Sequence, residues 1–176
     1  MISLPTINPK ILVIGDLMID HYMWGSCDRI SPEAPVQVIN VNNENTLLGG
    51  AGNVINNLHS LGADIDIISV IGECEVSKEL KDLLTEINVD TQYLISQKDR
   101  VTSKKSRVIA AQQQVIRFDR ENSSEISIKS QNSILDIFQK IINNYDVILL
   151  SDYGKGLFTD HLTQALINIA NQYKKK

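Results

Sequence analysis

The chain has 176 residues, 43% of them apolar and 22% charged. This is the balance of an ordinary globular domain, and it excludes disorder over the whole length. A formal net charge of −4 argues against broad electrostatic attraction to nucleic acid or to an anionic membrane. Cys27 and Cys74 have no CxxC spacing, which disfavours a disulfide scaffold or a zinc ribbon and fits a reducing cytoplasm.

The opening MISLPTINPK has no basic stretch followed by an apolar one, so it does not read as a signal peptide. No apolar run approaches the roughly 20 residues of a membrane-spanning helix. Lys10 to Gly15 reads as a buried strand ending at a glycine, and residues 36–41 as a second strand after the breakers Pro32 and Pro35. The polar stretch 42–45 reads as a turn. Residues 53–61 are helical, with Val54, Leu58 and Leu61 on one face and Gly62 as the stop. Ile65 to Val70 is another strand. Val76, Leu80, Leu83, Leu84 and Ile87 then mark an amphipathic helix.

Two extended runs follow, near 104–110 and 114–118. Residues 119–133 read as a polar loop leading into a helix that carries Ile134, Leu135, Ile137, Phe138, Ile141 and Ile142. Asp146 to Leu150 is a buried strand, and a last helix opens at Thr159 with Leu162, Leu166 and Ile169 inward. This βαβ alternation predicts an α/β layered fold with a largely parallel sheet. The runs at 20–25, 36–41, 104–110 and 114–118 fall outside it and predict an added antiparallel sheet or flap. The chain stops right after a helix, so the expectation is an unfinished sheet with an unpaired apolar edge.

Four segments carry candidate chemistry. In Gly49-Gly50-Ala51-Gly52-Asn53, glycines precede a helix. They allow close approach of a ligand to the backbone, and free amides at the helix start favour anions or hydroxyl oxygens. Asn53 offers a donor and an acceptor. The plainer reading is a tight turn and a cap. No GK[ST] follows, and the glycines do not follow the first strand, which disfavours a Walker A loop and a dinucleotide site. In Gly15-Asp16-Leu17-Met18-Ile19-Asp20, two carboxylates lie just past a strand end, where open α/β sheets bind ligands. Asp16 reads as the more structural of the two. Residues 102–120 contain Lys104, Lys105, Arg107, Arg117 and Arg120. Lys105 and Arg107 share a strand face and could hold a phosphate, the alternative being a solvated charged face. In Ser151-Asp152-Tyr153-Gly154-Lys155-Gly156, Lys155 stands between glycines, free to reach a phosphate or simply exposed on a turn. His21, His59 and His161 have no ligand-like spacing. Tyr22 and Trp24 read as packing residues.

Together these segments resemble the PfkB/ribokinase family of sugar kinases. Gly49-Gly50-Ala51-Gly52-Asn53, Gly62 and Gly72 look like its first signature, with Ile55 where a small residue is usual. Arg29-Ile-Ser-Pro-Glu-Ala-Pro-Val36, Gln113-Gln-Val-Ile-Arg117 and Leu150-Ser-Asp-Tyr-Gly-Lys-Gly156 resemble more narrowly its heptose 7-phosphate kinase branch. The resemblance implies a ribokinase-like layered αβα fold with a parallel central sheet and a small β-flap, or lid, around 20–41 and 104–118. Residues 1–176 would be the N-terminal part of the kinase domain.

The resemblance also implies ATP with Mg2+ as donor, and a sugar held by Asp20, Gly49, Gly50 and Asn53. Lys105, Arg107 and Lys155 become candidates for the sugar's phosphate, and Asp152 for a further substrate contact. It implies a cytoplasmic homodimer paired through the lid, with no nucleic acid or membrane partner. A C-terminal half or a nucleotidyltransferase domain is a further partner it leaves open. The family's second signature, DTxGAGD, is not among these residues. It supplies the catalytic base and an anion hole, so the expectation is that the chain alone does not turn over.

Overall fold

The computed structural model describes residues 8–176. In chain order the elements are β1 (Lys10–Gly15), β2 (Leu17–Ile30), β3 (Gln37–Gly50), α1 (Ala51–Ser60), β4 (Asp64–Gly72), α2 (Glu75–Glu86), β5 (Leu94–Gln97), β6 (Ser103–Ala110), β7 (Gln113–Arg120), α3 (Ile128–Ile141), β8 (Val147–Ser151) and α4 (Asp160–Gln172).

A four-stranded sheet of order β5-β4-β1-β8 forms the middle layer, and its pairs are parallel. Successive residues of β1 serve opposite faces. Ile11 and Val13 join Ile55, Ile67, Leu80 and Leu84 under α1 and α2. Leu12 and Ile14 join Ile68, Phe138, Leu162 and Leu166 under α3 and α4. Burial on both faces is why β1 and β4 read as unbroken apolar runs. Ser127 caps α3 by accepting from Ser130 N, and Thr159 caps α4 by accepting from Leu162 N. The layered α/β fold is therefore as expected.

The lid is a second sheet of order β3-β2-β6-β7. It is mixed rather than antiparallel: β2 pairs antiparallel with β3, β6 antiparallel with β7, but β2 parallel with β6. The reason lies in where both strands start. β2 leaves the sheet just after β1, and β6 starts beside the end of β4, where Gly72 N donates to Thr102 Oγ1 at 2.9 Å. Both run outward from the same end. Burial falls along β2 from Ile19 (0% exposed) to Ile30 (60%).

Several boundaries differ from expectation. Residues 42–45 are not a turn but lie within β3, where Asn43 pairs with Trp24 and Asn45 with Tyr22. The register shift there leaves Asn42 as the extra residue of a bulge. The inward face of α1 is centred on Ala51, Gly52 and Ile55, while Leu61 is 72% exposed at the cap. The large Ile55 is thus core. β7 extends to Arg120 and α3 starts at Ile128, so the 119–133 loop is short. β5 was not anticipated. At the other edge, Ile148 N of β8 donates to Lys176 O at 2.9 Å, so that edge is partly paired within the chain.

Candidate functional site

The predicted site segments meet at the C-terminal end of the parallel sheet and the base of the lid. Asp16, only 2% exposed, holds them together. Its N–H donates to Ser151 O at 3.1 Å, and its carbonyl accepts from Ala51 N at 3.0 Å. Its carboxylate Oδ2 accepts from Tyr153 N at 3.0 Å and Lys155 N at 3.1 Å. One residue thus ties the end of β1 to the glycine turn and to the loop after β8. The other oxygen, Oδ1, is buried without a hydrogen-bond partner.

Arg100 completes this joint from the other side. It is 8% exposed and donates to Ser124 O and Lys155 O. The Lys155 peptide is held at its N–H by Asp16 and at its carbonyl by Arg100. Burial pulls the Arg100 guanidinium below its ordinary value, and the nearby charge of Asp16 opposes that pull. Sequence reasoning missed Arg100, because its partners are carbonyls far along the chain and leave no pattern.

Asp20 stands four residues further along the chain than Asp16, on β2. Its Oδ1 accepts from Arg107 Nη1 at 2.6 Å, and both side chains are largely covered. Gly49 lies against it: a Cβ there would overlap Asp20 Oδ2. Gly50 has φ +58°, and a Cβ on it would sit 2.6 Å from Asp16 O. Both glycines are required by close approach to acidic residues. Asn53 is exposed in the first turn of α1.

Lys105 and Arg107 lie on the same lid face as Asp20, as β6 alternation requires. Arg107 sits 5.0 Å from the Tyr22 ring centroid, and Tyr22 stacks on Trp24 at 5.7 Å. Among the described residues Lys105 makes no ion pair. Asp152 is exposed and accepts from Gly154 N at 2.8 Å. Lys155 is not free: its Nζ meets Glu121 Oε2 at 2.9 Å, with its side chain 16% exposed. The structure thus brings Asp20, Gly49, Lys105 and Arg107 together. It places Asp152 and Lys155 on a separate loop joined to them through Asp16.

A hollow lined by Gly72, Cys74, Ser77 and Ser96 opens at the β4 end of the sheet and includes none of the predicted site residues. Among the described residues there is no group of three or more His, Cys, Asp or Glu side chains arranged to hold a metal ion. None of the described helices is long and apolar enough to cross a membrane.

The family of pfkB carbohydrate kinases matches residues 8–176, and the chain belongs to that family. More narrowly, it is similar to proteins named bifunctional protein HldE. It is 60% identical to the one from Aliarcobacter butzleri over 169 residues, covering 96% of this chain and 36% of that protein. With the Helicobacter hepaticus protein the identity is 49% over 175 residues, covering 99% of this chain and 36% of the relative. The chain therefore spans little more than a third of these relatives' length.

Among solved structures, a carbohydrate kinase from Agrobacterium tumefaciens superposes with TM-score 0.67 at 20% identity, over 95% of this chain and 52% of that one. A protein titled as a putative phosphofructokinase from Staphylococcus aureus gives TM-score 0.72 at 12% identity, over 95% and 51%. At such identities the likeness shows the ribokinase-like fold alone.

Proposed function

We propose that this chain is the sugar-binding part of a kinase acting on D-glycero-β-D-manno-heptose 7-phosphate. The reaction transfers the γ-phosphoryl of ATP to the anomeric hydroxyl, giving the 1,7-bisphosphate used in ADP-heptose and lipopolysaccharide core synthesis. The observation that carries this reading is the 60% identity to an HldE protein across 96% of the chain.

In this reading the sugar lies beside Gly49 and Gly50, and the lack of a side chain at Gly49 lets the Asp20 carboxylate stand against the backbone. Asp20 accepts hydrogen bonds from sugar hydroxyls, and Asn53 supplies a donor and an acceptor. Asp152 is a further contact from the loop after β8. ATP supplies the phosphoryl group, with Mg2+ as the family's usual companion ion. The sequence contains no DTxGAGD segment, so the proposal assigns the base and the nucleotide pocket to sequence other than these residues. Phosphoryl transfer rests on positioning and charge stabilisation, and half of that apparatus does not turn over.

The proposal includes a homodimer paired through the lid. β7 is exposed along its length, with Val115, Ile116 and Phe118 each more than 40% exposed. Sedimentation velocity checks this part: a dimer that Phe118→Asp converts to monomer is the expected outcome.

Calorimetric titration tests the substrate. Heptose 7-phosphate binds the chain, ribose and fructose bind far more weakly, and adding ATP gives no turnover. Tighter binding of ribose or fructose would move the chain to another PfkB sugar kinase. No sugar binding at all would leave a non-catalytic remnant that only dimerises.

A further inference from the structure

We propose that Lys105, Arg107 and Arg117 form the seat for the acceptor sugar's phosphate on the lid face that carries Asp20. Arg117 is the specificity-determining member. The proposal rests on the sugar-kinase reading and deepens it.

The strand registers carry the argument. Asp20, Lys105 and Asp119 stand side by side across β2, β6 and β7, and Tyr22, Arg107 and Arg117 form the next row. The rows are two residues apart, about 7 Å along the strands, and their side chains share one face. Arg107 and Arg117 are therefore directly opposite. Like charges so placed destabilise an antiparallel pair unless something neutralises them.

Here each arginine is neutralised within the sheet. Arg107 reaches Asp20 at 2.6 Å. Arg117 grips Asp119 with two bonds, Nε to Oδ1 at 2.9 Å and Nη2 to Oδ2 at 2.6 Å. Three cations and two carboxylates leave the cluster at +1. Asp20 is also the carboxylate assigned to the sugar hydroxyls. When it turns to them, Arg107 loses its counter-ion and faces an Arg117 that keeps Asp119.

A phosphate spanning both restores the balance with the bidentate geometry that guanidinium offers. Its place, one row out from Asp20, suits a phosphate on the exocyclic end of a sugar whose ring hydroxyls reach Asp20. The Tyr22 ring under Arg107, backed by Trp24, holds that guanidinium to the seat. Lys155 stands outside it, on the loop after β8, with its ammonium against Glu121 just beyond the end of β7.

The test is calorimetric titration of the protein with heptose 7-phosphate, the unphosphorylated heptose and inorganic phosphate. The phosphorylated sugar is expected to bind about 100-fold more tightly than the free one, as two charge-assisted contacts allow. Arg117→Gln should remove about tenfold or more of that preference while leaving the free sugar's affinity unchanged. Arg117→Lys should restore only part of it, since the point charge lacks the fork. Arg120→Gln, on the other face of β7, should change neither. Full preference in Arg117→Gln would overturn the seat. Equal binding of the phosphorylated and free heptose would also overturn it, yet leave the heptose reading intact. Arg117-dependent binding of inorganic phosphate with no binding of either heptose would keep the seat and remove the heptose reading.

Discussion

Gly49 packs so closely against Asp20 that a Cβ at position 49 would overlap the carboxylate Oδ2 and lie 3.0 Å from its Cγ. On its other side the same carboxylate is held by Arg107 at 2.6 Å. A methyl group at 49 can enter only by moving Asp20. Gly49→Ala is therefore expected to weaken sugar binding by about tenfold or more, which corresponds to about 1.4 kcal/mol. The far-ultraviolet circular dichroism should stay that of the parent. Calorimetry on the variant decides the matter: undiminished affinity would remove Asp20 from the sugar site.

Asp16 does not face the same substitution logic, because it serves the scaffold. Its Oδ2 is the acceptor for two loop amides, and its charge stands near the buried Arg100. Asp16→Ala leaves those amides unpaired and removes the carboxylate charge near Arg100. Leaving the two amides without an acceptor costs about 1–3 kcal/mol each. The expected result is a large fall in the urea midpoint, with fast hydrogen exchange at the Tyr153 and Lys155 amides. Exchange at those amides no faster than in the parent would show that the loop holds itself.

How much of this was legible in the sequence follows from burial. β1 and β4 are covered on both faces, so their apolar runs announced them; α2, α3 and α4 announced themselves by spacing, and α4 also by its cap at Thr159, whereas the Ser127 cap of α3 lies inside the stretch that reads as a loop. The lid strands are another matter. β7 is exposed on both faces, and β3 is mostly exposed until it reaches Leu48. Without a buried face there is no alternation to read, so Asn42 to Asn45 looked like a turn. The four-residue β5 is too short to show a period. That Lys105 and Arg107 share a strand face was legible from their spacing. The pairing of Arg107 with Arg117 was not. It depends on the register of the β6–β7 hairpin, whose turn uses Ala111 (φ 49°) and Gln112 (φ 63°) instead of the glycine or asparagine that marks such turns.

At the opposite end of the sheet, Tyr145 is 3% exposed and donates to Asp66 Oδ2 at 2.6 Å. Lys10 lies 5.4 Å from its ring centroid and 3.7 Å from the same carboxylate. Burial, reinforced by Asp66, pushes the phenol well above its ordinary value of 10.0. The folded state thus holds this proton more tightly than the unfolded one. Its stabilising contribution is complete below pH 10 and is lost as the pH rises above that. Tyr145→Phe is expected to cost about 1–2 kcal/mol at neutral pH through the lost hydrogen bond. It should also lessen the alkaline loss of stability. Urea denaturation of both proteins at pH 7 and above pH 10 checks this, and an equally steep alkaline loss in the variant would refute the assignment.

The lid is fastened to the body by Glu79 of α2, whose Oε2 meets Lys104 Nζ of β6 at 2.8 Å. Burial pushes this carboxyl up, but the hydrogen bonds from Lys104 and from Thr46 of β3 outweigh it, so the net shift is below the ordinary 4.5. The unfolded chain therefore takes up this proton first as the pH falls. The contribution is fully present above pH 4.5 and disappears as the pH drops through the lower folded value. The pair is partly exposed, so salt weakens it. Glu79→Gln should lower the urea midpoint at pH 7 and leave it nearly unchanged at the acid end, where the parent's own carboxyl is neutral. The difference between the two midpoints should thus shrink on acidification and in high salt. A difference that stayed constant from pH 7 to the acid limb would mean that α2 and the lid are joined by packing alone.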